Sequence, residues 1–195
     1  MIEHRKSGFA LVELLLAIAL FGLISGFLVL IYQKMGDRLF LTATAYDVGL
    51  SFRETQSYGV SVKQNAAGGF ESGYGLHFET GSATSFVRFA DAPVGGQYLY
   101  LYDPAEAIGT LRIERGNRIQ KFCGILADGN NTEQCTLSFL DVVFVRPNPD
   151  AFIRTNKSDT ETYKAARIYI ASPTGDTRCV EVVNTGQISI KTICP

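Results

Sequence analysis

The sequence KSGFALVE, residues 6–13, joins a short basic leader to a long apolar run. The interpretation of the rest of the chain depends on this junction. Glu13 is the only charged residue among the 24 residues from Phe9 to Tyr32. A helix of that length spans roughly 36 Å, which is enough to cross the hydrocarbon core of a bilayer. We therefore expect a membrane-spanning helix over residues 9–32.

Glu13 needs an explanation, because an ionised carboxylate inside a membrane helix costs about 2.5–3.5 kcal/mol on insertion scales. Cleavage after Gly8 would leave a charged amine on Phe9, one helical turn from Glu13, and that amine is the partner that the spacing indicates. An ordinary secretory signal has a shorter apolar core followed by a small-residue cleavage site. A plain signal anchor would not explain Glu13.

Gly8, Phe9, Glu13 and the apolar run resemble the signal of type IV prepilins and type II secretion pseudopilins. In that family a membrane peptidase cuts after the glycine and methylates the new N-terminal residue. The resemblance implies processing at Gly8 and Phe9, and an assembly role for Glu13 through the Phe9 amine of a neighbouring subunit. It also implies four kinds of partner: the prepilin peptidase, other pilin or pseudopilin subunits, an inner-membrane assembly platform, and membrane lipid before assembly.

The expected organisation is a leader peptide over residues 1–8, a long helix over 9–59 and a β-rich domain over 60–195. The basic leader should stay in the cytoplasm. This predicts a single-pass cell membrane protein with its C-terminal domain outside the cytoplasm, and an extracellular or periplasmic filament after assembly. Without the leader, the basic residues fall from 18 to 16 and the acidic ones from 19 to 18. A net charge of −2 gives no electrostatic footprint for nucleic acid.

The helix should continue beyond the membrane, because Gln33 to about Tyr58 contains no proline. Leu39, Ala43, Tyr46 and Leu50 recur at helical spacing and predict one apolar face, which Val48 and Phe52 widen. Glycines interrupt the helix, and two interpretations stay open: close helix packing in the membrane, or a helix that bends or partly melts on assembly. The glycines are Gly22, Gly26, Gly36 and Gly49.

After Tyr58-Gly59 the pattern changes from helical to alternating, with turn residues between short segments. Such a pattern predicts an antiparallel β domain, so the fold class is α+β, with the long helix packed on a C-terminal antiparallel sheet. Residues 137–145 are apolar on both faces and predict a central strand between the helix and another layer. The candidate strands are 60–63, 74–79, 85–90, 98–102, 110–114, 118–123, 137–145, 167–171, 178–183 and 188–193.

Two further segments resemble H-type minor pseudopilins and FimT-like minor pilins: residues 50–62, where the helix ends, and residues 178–190, which read strand, glycine turn, strand. FimT-like proteins that bind DNA carry arginines just after that glycine. This chain has Gln187 and Ser189 there, which argues against DNA binding.

The four cysteines all lie in the C-terminal part, and behind a membrane anchor they predict two disulfides in an oxidising compartment. Three pairings are possible, and we favour Cys123–Cys135 with Cys179–Cys194. A two-residue turn at Gly186-Gln187 would place Cys179 opposite Cys194.

The sequence offers no catalytic constellation, cofactor motif or metal-ligand spacing. His77 is expected to be a half-exposed strand residue rather than a base or a ligand. Asp128, Asn130 and Asn131 suit either calcium or, as we favour, a polar turn. Tyr98, Tyr100 and Tyr102 suit either a partner surface or, as we favour, one face of the β core.

The expected function is that of a structural subunit of a type IV pilus or a type II secretion pseudopilus, and not that of an enzyme. The alternatives are a minor pilin acting as an adhesin or DNA-uptake receptor, and a membrane-anchored enzyme. The first would need an exposed binding surface and the second would need catalytic residues.

Overall fold

The computed structural model describes residues 10–61, 63–64, 68–158 and 160–194, apart from the helix side chains at 30 and 33–35. One helix, α1, runs over Leu11–Val60. The chain forms two compact units that divide between Asp37 and Arg38, and the second unit holds the last part of α1 and the whole β domain.

Ten strands follow within the described residues, arranged as two five-stranded antiparallel sheets. The first sheet has the order β3-β2-β1-β6-β7 and the second has the order β10-β9-β8-β4-β5. A short 3₁₀ helix, Pro104–Glu106, precedes β3. The fold is therefore α+β, as the change from helical to alternating pattern predicts. The strands are β1 Gly73–Glu79, β2 Ser85–Asp91, β3 Ala107–Arg112, β4 Arg118–Leu126, β5 Glu133–Gln134, β6 Phe139–Phe144, β7 Ala151–Thr155, β8 Tyr163–Ala171, β9 Thr177–Val183 and β10 Ile188–Lys191.

One apolar core joins α1, from Arg38 onward, to the inner faces of both sheets. Phe52 of the helix is completely buried, and its ring lies 5.8 Å from that of Phe78 in β1. Phe78 in turn stacks on Phe86 of β2 at 5.1 Å. The helix contributes Leu41, Ala45, Val48 and Phe52; the strands contribute among others Leu76, Phe78, Leu140, Val142, Phe144, Ile168, Ile170, Val180 and Val182.

The apolar face predicted for α1 was right for Val48 and Phe52 and wrong for Leu39, Tyr46 and Leu50. The buried residues are Leu41, Ala45, Val48 and Phe52, whereas Leu39, Tyr46 and Leu50 are exposed. Leu50 comes nine residues after Leu41, and at about 100° per residue the two side chains point to opposite sides of the helix. Apolar residues thus occupy two opposite faces, and their spacing could not tell which face meets the sheets.

The central strand was predicted correctly, since β6 lies between β1 and β7. Two other predicted strands are absent from the described residues: α1 continues to Val60 where a strand was expected at 60–63, and residues 98–102 form an irregular segment. Two strands, β5 and β7, were missed. Both are short, at two and five residues, and short strands carry too few alternations for a pattern to appear.

The turn between β9 and β10 also differs from the prediction. Val182 pairs with Ile188, and the Val183 N–H donates to the Gln187 carbonyl at 2.9 Å, which leaves a three-residue loop rather than a two-residue turn. Gly186 takes the left-handed position of that loop, with φ of 81°. Cys179 therefore lies opposite Lys191. It still bonds to Cys194, because the chain continues beyond the strand, and Cys123 bonds to Cys135.

Gly186 also lies where three parts of the chain meet. The Gln56 side-chain amide of α1 donates to the carbonyl of Pro149, at 2.9 Å, and to that of Gly186, at 2.8 Å. A β carbon at position 186 would collide with the Pro149 carbonyl. This loop therefore connects the end of α1 to both sheets through a contact that only glycine permits.

We predict that Phe52→Ala lowers the free energy of unfolding by about 3–5 kcal/mol, because it opens a cavity in the shared core. The matched control is Leu50→Ala, on the exposed side of the same helix turn, with an expected change within about 0.5 kcal/mol. Urea unfolding of the full chain in detergent micelles measures both. Equal losses would contradict the assignment of the two faces.

A second prediction concerns the loop glycine. Gly186→Ala should destabilise the fold more than Gly129→Ala, although both positions have nearly the same left-handed φ, 81° and 80°. Both variants carry the cost of an alanine in that conformation, about 1–2 kcal/mol, but space is open around Gly129 and not around Gly186. Thermal unfolding of the two variants side by side tests this, and equal shifts in melting temperature would count against the collision.

Candidate functional site

The first unit of the structure carries the segment that the sequence assigns to the membrane. Leu11–Val29 forms a helix with a mean hydropathy of 2.5, and none of it is buried by the protein. By length and composition this helix is able to cross a membrane. Glu13 lies in its first turn, where its N–H donates to the Ala10 carbonyl at 2.9 Å. Gly8 and Phe9 fall outside the described residues, so the distance from Glu13 to the Phe9 amine stays a prediction.

The second unit exposes an apolar strip on its own part of α1, which we call the outer helix face: Leu39, Ala43, Tyr46 and Leu50. Leu39 is 68% exposed, Tyr46 61% and Leu50 63%. Large side chains that repeat on one side of a helix and stay in water form a contiguous apolar patch, and such patches mark contacts with other molecules.

The outer side of the second sheet is organised by the two disulfides. Cys123 and Cys179 are buried, and both cluster with the ring of Tyr169, against which Cys135 and Cys194 also pack. The Tyr169 hydroxyl donates to Glu133 at 2.6 Å. The two disulfides therefore stabilise the outer face of the second sheet, which neither the helix nor the shared apolar core covers.

A partly buried ion-pair network continues along that same face. Arg167 contacts Glu133 at 2.8 Å and Glu181 at 2.5 Å, and Lys191 reaches the other oxygen of Glu181 at 2.6 Å. Burial opposes the charge of Glu181, but Lys191 and Arg167 outweigh that cost and lower the pKa of its carboxyl. Every member has a partner of opposite charge, as a structural network requires.

Two cysteines and a glutamate lie together at the first disulfide. Cys123, Glu133 and Cys135 lie close enough together to share an ion. However, both sulfurs are committed to the disulfide, and a metal needs free thiolates.

The loop of Asp128 uses its carboxylate for its own turn. Asp128 Oδ1 accepts hydrogen bonds from the N–H groups of Asn130, at 3.0 Å, and Thr132, at 3.4 Å. The hydrogen bonds from Thr132 contribute most to lowering the pKa of Asp128. This geometry is that of the polar turn we favoured over calcium.

His77 is not half-exposed, as predicted from the sequence, but buried, with 9% of its surface accessible. Its Nδ1 lies 2.6 Å from Asp141 Oδ1, and its ring stacks on Tyr102 at 4.3 Å. The prediction that His77 lies in a strand is confirmed, since it belongs to β1. Strand alternation could not show that an irregular segment covers the outer face of the first sheet.

That covering segment, residues 92–103, is called the strap below. Its three tyrosines, Tyr98, Tyr100 and Tyr102, pack against a cluster formed by Phe89, Val143 and Val145. The interpretation of the tyrosines as part of the β core is confirmed, although they reach it from a loop and not from a strand.

Sequence reasoning missed the acidic residues beneath the strap, Asp91, Glu106 and Asp141. Asp91 and Asp141 are each 1% exposed. Asp141 was detectable in principle, because it is the one charged residue in the apolar run 137–145. Burial raises the pKa of the Asp141 carboxyl, against the opposing effect of His77. The described contacts of the Asp141–His77 pair are with Tyr102 and Phe139. Through the hydrogen bond to the Tyr102 backbone, the pair anchors the strap.

The comparison with protein families matches one motif. The prokaryotic N-terminal methylation motif covers residues 4–29. That range includes Gly8, Phe9 and Glu13, together with most of the exposed apolar helix. No curated protein and no solved structure matches the chain. Through residues 4–29, therefore, the chain bears the prepilin signal of the type IV pilin and pseudopilin family.

Proposed function

We propose that this chain is a structural subunit of a type IV pilus or a type II secretion pseudopilus. Two observations carry the proposal: the methylation motif at residues 4–29, and a helix over Leu11–Val29 that is apolar enough to cross a membrane. The prepilin peptidase removes residues 1–8 and methylates Phe9. The protein then waits in the membrane as a single-pass precursor, with its β-rich domain outside the cytoplasm.

Glu13 sets the position of the helix among its neighbours in this proposal. A lone carboxylate in an apolar environment is costly, while a paired one is tolerated and can fix register. The Phe9 amine that processing creates is positively charged and lies four residues before Glu13 in the sequence. Its pairing with Glu13 of an adjacent subunit would fix the axial stagger of the filament.

The outer helix face supplies a second contact. Within the second unit, the opposite face of α1 is already used by the apolar core. Leu39, Tyr46 and Leu50 are therefore free to pack on another subunit without unfolding the domain that carries them. Burial of large apolar side chains contributes about 1.5–3 kcal/mol each, so even a few such residues would add substantially to assembly.

The other candidate functions gain little from the structure. An adhesin or DNA-uptake receptor needs an exposed binding surface, but the tyrosine rings pack on the first sheet. The residues after the Gly186 loop are Gln187 and Ser189 and not arginines. The partners that assemble with the chain determine whether the filament is a pilus or a secretion pseudopilus, and whether this subunit is a major or a minor one.

We predict that Glu13→Val is inserted and cleaved normally but is not incorporated into filaments. Valine suits a membrane helix, so processing needs no carboxylate, whereas register does. Intact mass of the membrane form checks processing, with a start at a methylated Phe9 expected for both proteins. An immunoblot of sheared filaments checks incorporation, and Leu15→Val is the matched control. A mature protein that starts elsewhere would contradict the proposal of a pilin-type subunit. Normal incorporation of Glu13→Val would contradict the proposal that Glu13 fixes the axial register.

We also predict that the double substitution Tyr46→Ala with Leu50→Ala lowers incorporation into filaments at least ~10-fold, since it removes two exposed apolar contacts worth together more than about 1.4 kcal/mol. Stability of the free subunit should stay unchanged, as measured by urea unfolding. Arg53→Ala, an exposed position on the same helix, is the control. Normal incorporation of the double variant would exclude the outer helix face from assembly.

A further inference from the structure

The strap is held on the first sheet by three carboxylates. Asp91 Oδ2 accepts the Tyr100 N–H at 2.9 Å, and Asp141 Oδ2 accepts the Tyr102 N–H at 3.0 Å. Glu106 Oε1 accepts the Ala92 N–H at 2.9 Å, at the start of the strap. Each anchor is thus an acid on the sheet side or at the flanking 3₁₀ helix, and each bond goes to the backbone of the strap.

Besides these three hydrogen bonds, the tyrosine side chains hold the strap: the Tyr98 hydroxyl donates to the Glu71 carbonyl, and the Tyr100 ring stacks on Phe152 at 4.2 Å. The regular structure of the strap among the described residues is a single bridge between Val94 and Gln97. Tyr100 has a φ of 58°, a left-handed conformation that a bulky residue rarely adopts without support. The hydrogen bond from Tyr100 to Asp91 provides that support, so the state of Asp91 bears directly on the conformation of the strap.

Negative charge is concentrated beneath the strap. Asp91 is influenced by both Glu106 and Asp141, and the His77 ring lies against Asp141, with Nδ1 2.6 Å from Oδ1. Arg154 lies opposite Asp141 in the strand register, but its guanidinium lies over the Tyr100 ring, 5.8 Å from the centroid. The ionisable groups facing the strap and its anchors are His77 on β1, Asp141 on β6, Arg154 on β7, Arg146 after β6, Asp103 and Glu106 at the 3₁₀ helix, Glu71 before β1, and the strap's own Tyr98, Tyr100 and Tyr102.

We propose that the strap is a proton-sensitive flap: a proton on the buried Asp91 carboxyl holds it closed on the sheet, and loss of that proton loosens it. Opening would uncover the three tyrosines and the apolar cluster of Phe89, Val143 and Val145 beneath them. The domain would thereby present a different surface to its partners in acidic and in neutral surroundings.

The sign of the effect follows from burial. Burial raises the pKa of Asp91 to about 6, with the Tyr100 N–H opposing the rise and Glu106 and Asp141 adding to it. When the strap opens, water reaches Asp91 and its pKa returns toward about 4. The closed form therefore binds the proton more tightly, and this contribution to closure is fully present below about pH 4 and is lost as the pH rises through about 6. Burial also raises the pKa of Asp141 and of Glu106, which gives the same sign.

Amide hydrogen exchange of the full chain in detergent micelles tests the proposal. Protection of the peptide covering residues 92–103 is compared at about pH 5 and about pH 7.5, after correction for the exchange rate of an unstructured peptide. Protection of the strap should fall about tenfold at the higher pH, since a pKa of about 6 in the closed form and about 4 in the open form gives that ratio. Strand β8 serves as the internal reference and should change much less.

Two substitutions at Asp91 separate the charge from the hydrogen bond. Asp91→Asn keeps an oxygen that can accept the Tyr100 N–H but removes the charge, so the strap should be as well protected at pH 7.5 as at pH 5 to within about threefold. Asp91→Ala removes the acceptor and should loosen the strap at both pH values. Glu114→Gln, at an exposed carboxylate that is not among the three that hold the strap, should behave like the unsubstituted chain.

Unchanged protection of the unsubstituted strap between the two pH values would overturn the proposal. So would an Asp91→Asn strap that is loosened at both pH values like Asp91→Ala, since Asp91 would then act as a structural acceptor alone. A tenfold fall that persists in Asp91→Asn would assign the effect to other groups and equally reject the role given to Asp91.

Discussion

The stack of Phe52 on Phe78, and of Phe78 on Phe86, is the contact on which the second unit depends. It fixes one face of α1 to the inner side of the first sheet, and the same core extends to β8 and β9 of the second sheet. Once that face is fixed, the helix has no freedom to rotate, and the position of every other side chain on it follows. Leu39, Tyr46 and Leu50 are exposed because Leu41, Val48 and Phe52 are not.

The outer faces of the two sheets are covered in different ways. On the second sheet the cover is covalent and ionic: two disulfides around Tyr169 and a paired network around Arg167. On the first sheet it is a loop whose tyrosines supply the apolar surface and whose backbone is held by buried acids. Bonds of the first kind are insensitive to mild changes of pH, whereas carboxylates buried without full compensation are sensitive.

The sequence was sufficient wherever the signal is local. The methylation motif lies within residues 4–29, and alternation identified strands such as β1, β2, β8 and β9 because each contains seven or nine residues. It failed wherever the answer depends on distant parts of the chain. The buried side of α1 depends on which apolar face meets the sheets, and the burial of His77 depends on a strap that starts fifteen residues later. The pairing of Cys179 with Cys194 was favoured through a hairpin register that the structure does not have, since a three-residue loop shifts the partners.

A helix with apolar residues on two opposite faces would be a liability in a soluble monomer, because the exposed face invites association. In a subunit that must first fold alone and then pack with others, the arrangement is required. The folding face has to be satisfied within the domain, so that the precursor survives as a monomer, and the assembly face has to stay open until a neighbour arrives. Since the two faces of α1 are set about 180° apart, Leu50 and Tyr46 can be buried by a partner while Phe52 keeps its place against Phe78. In the proposed filament, assembly would then add contacts without exchanging any that hold the domain together.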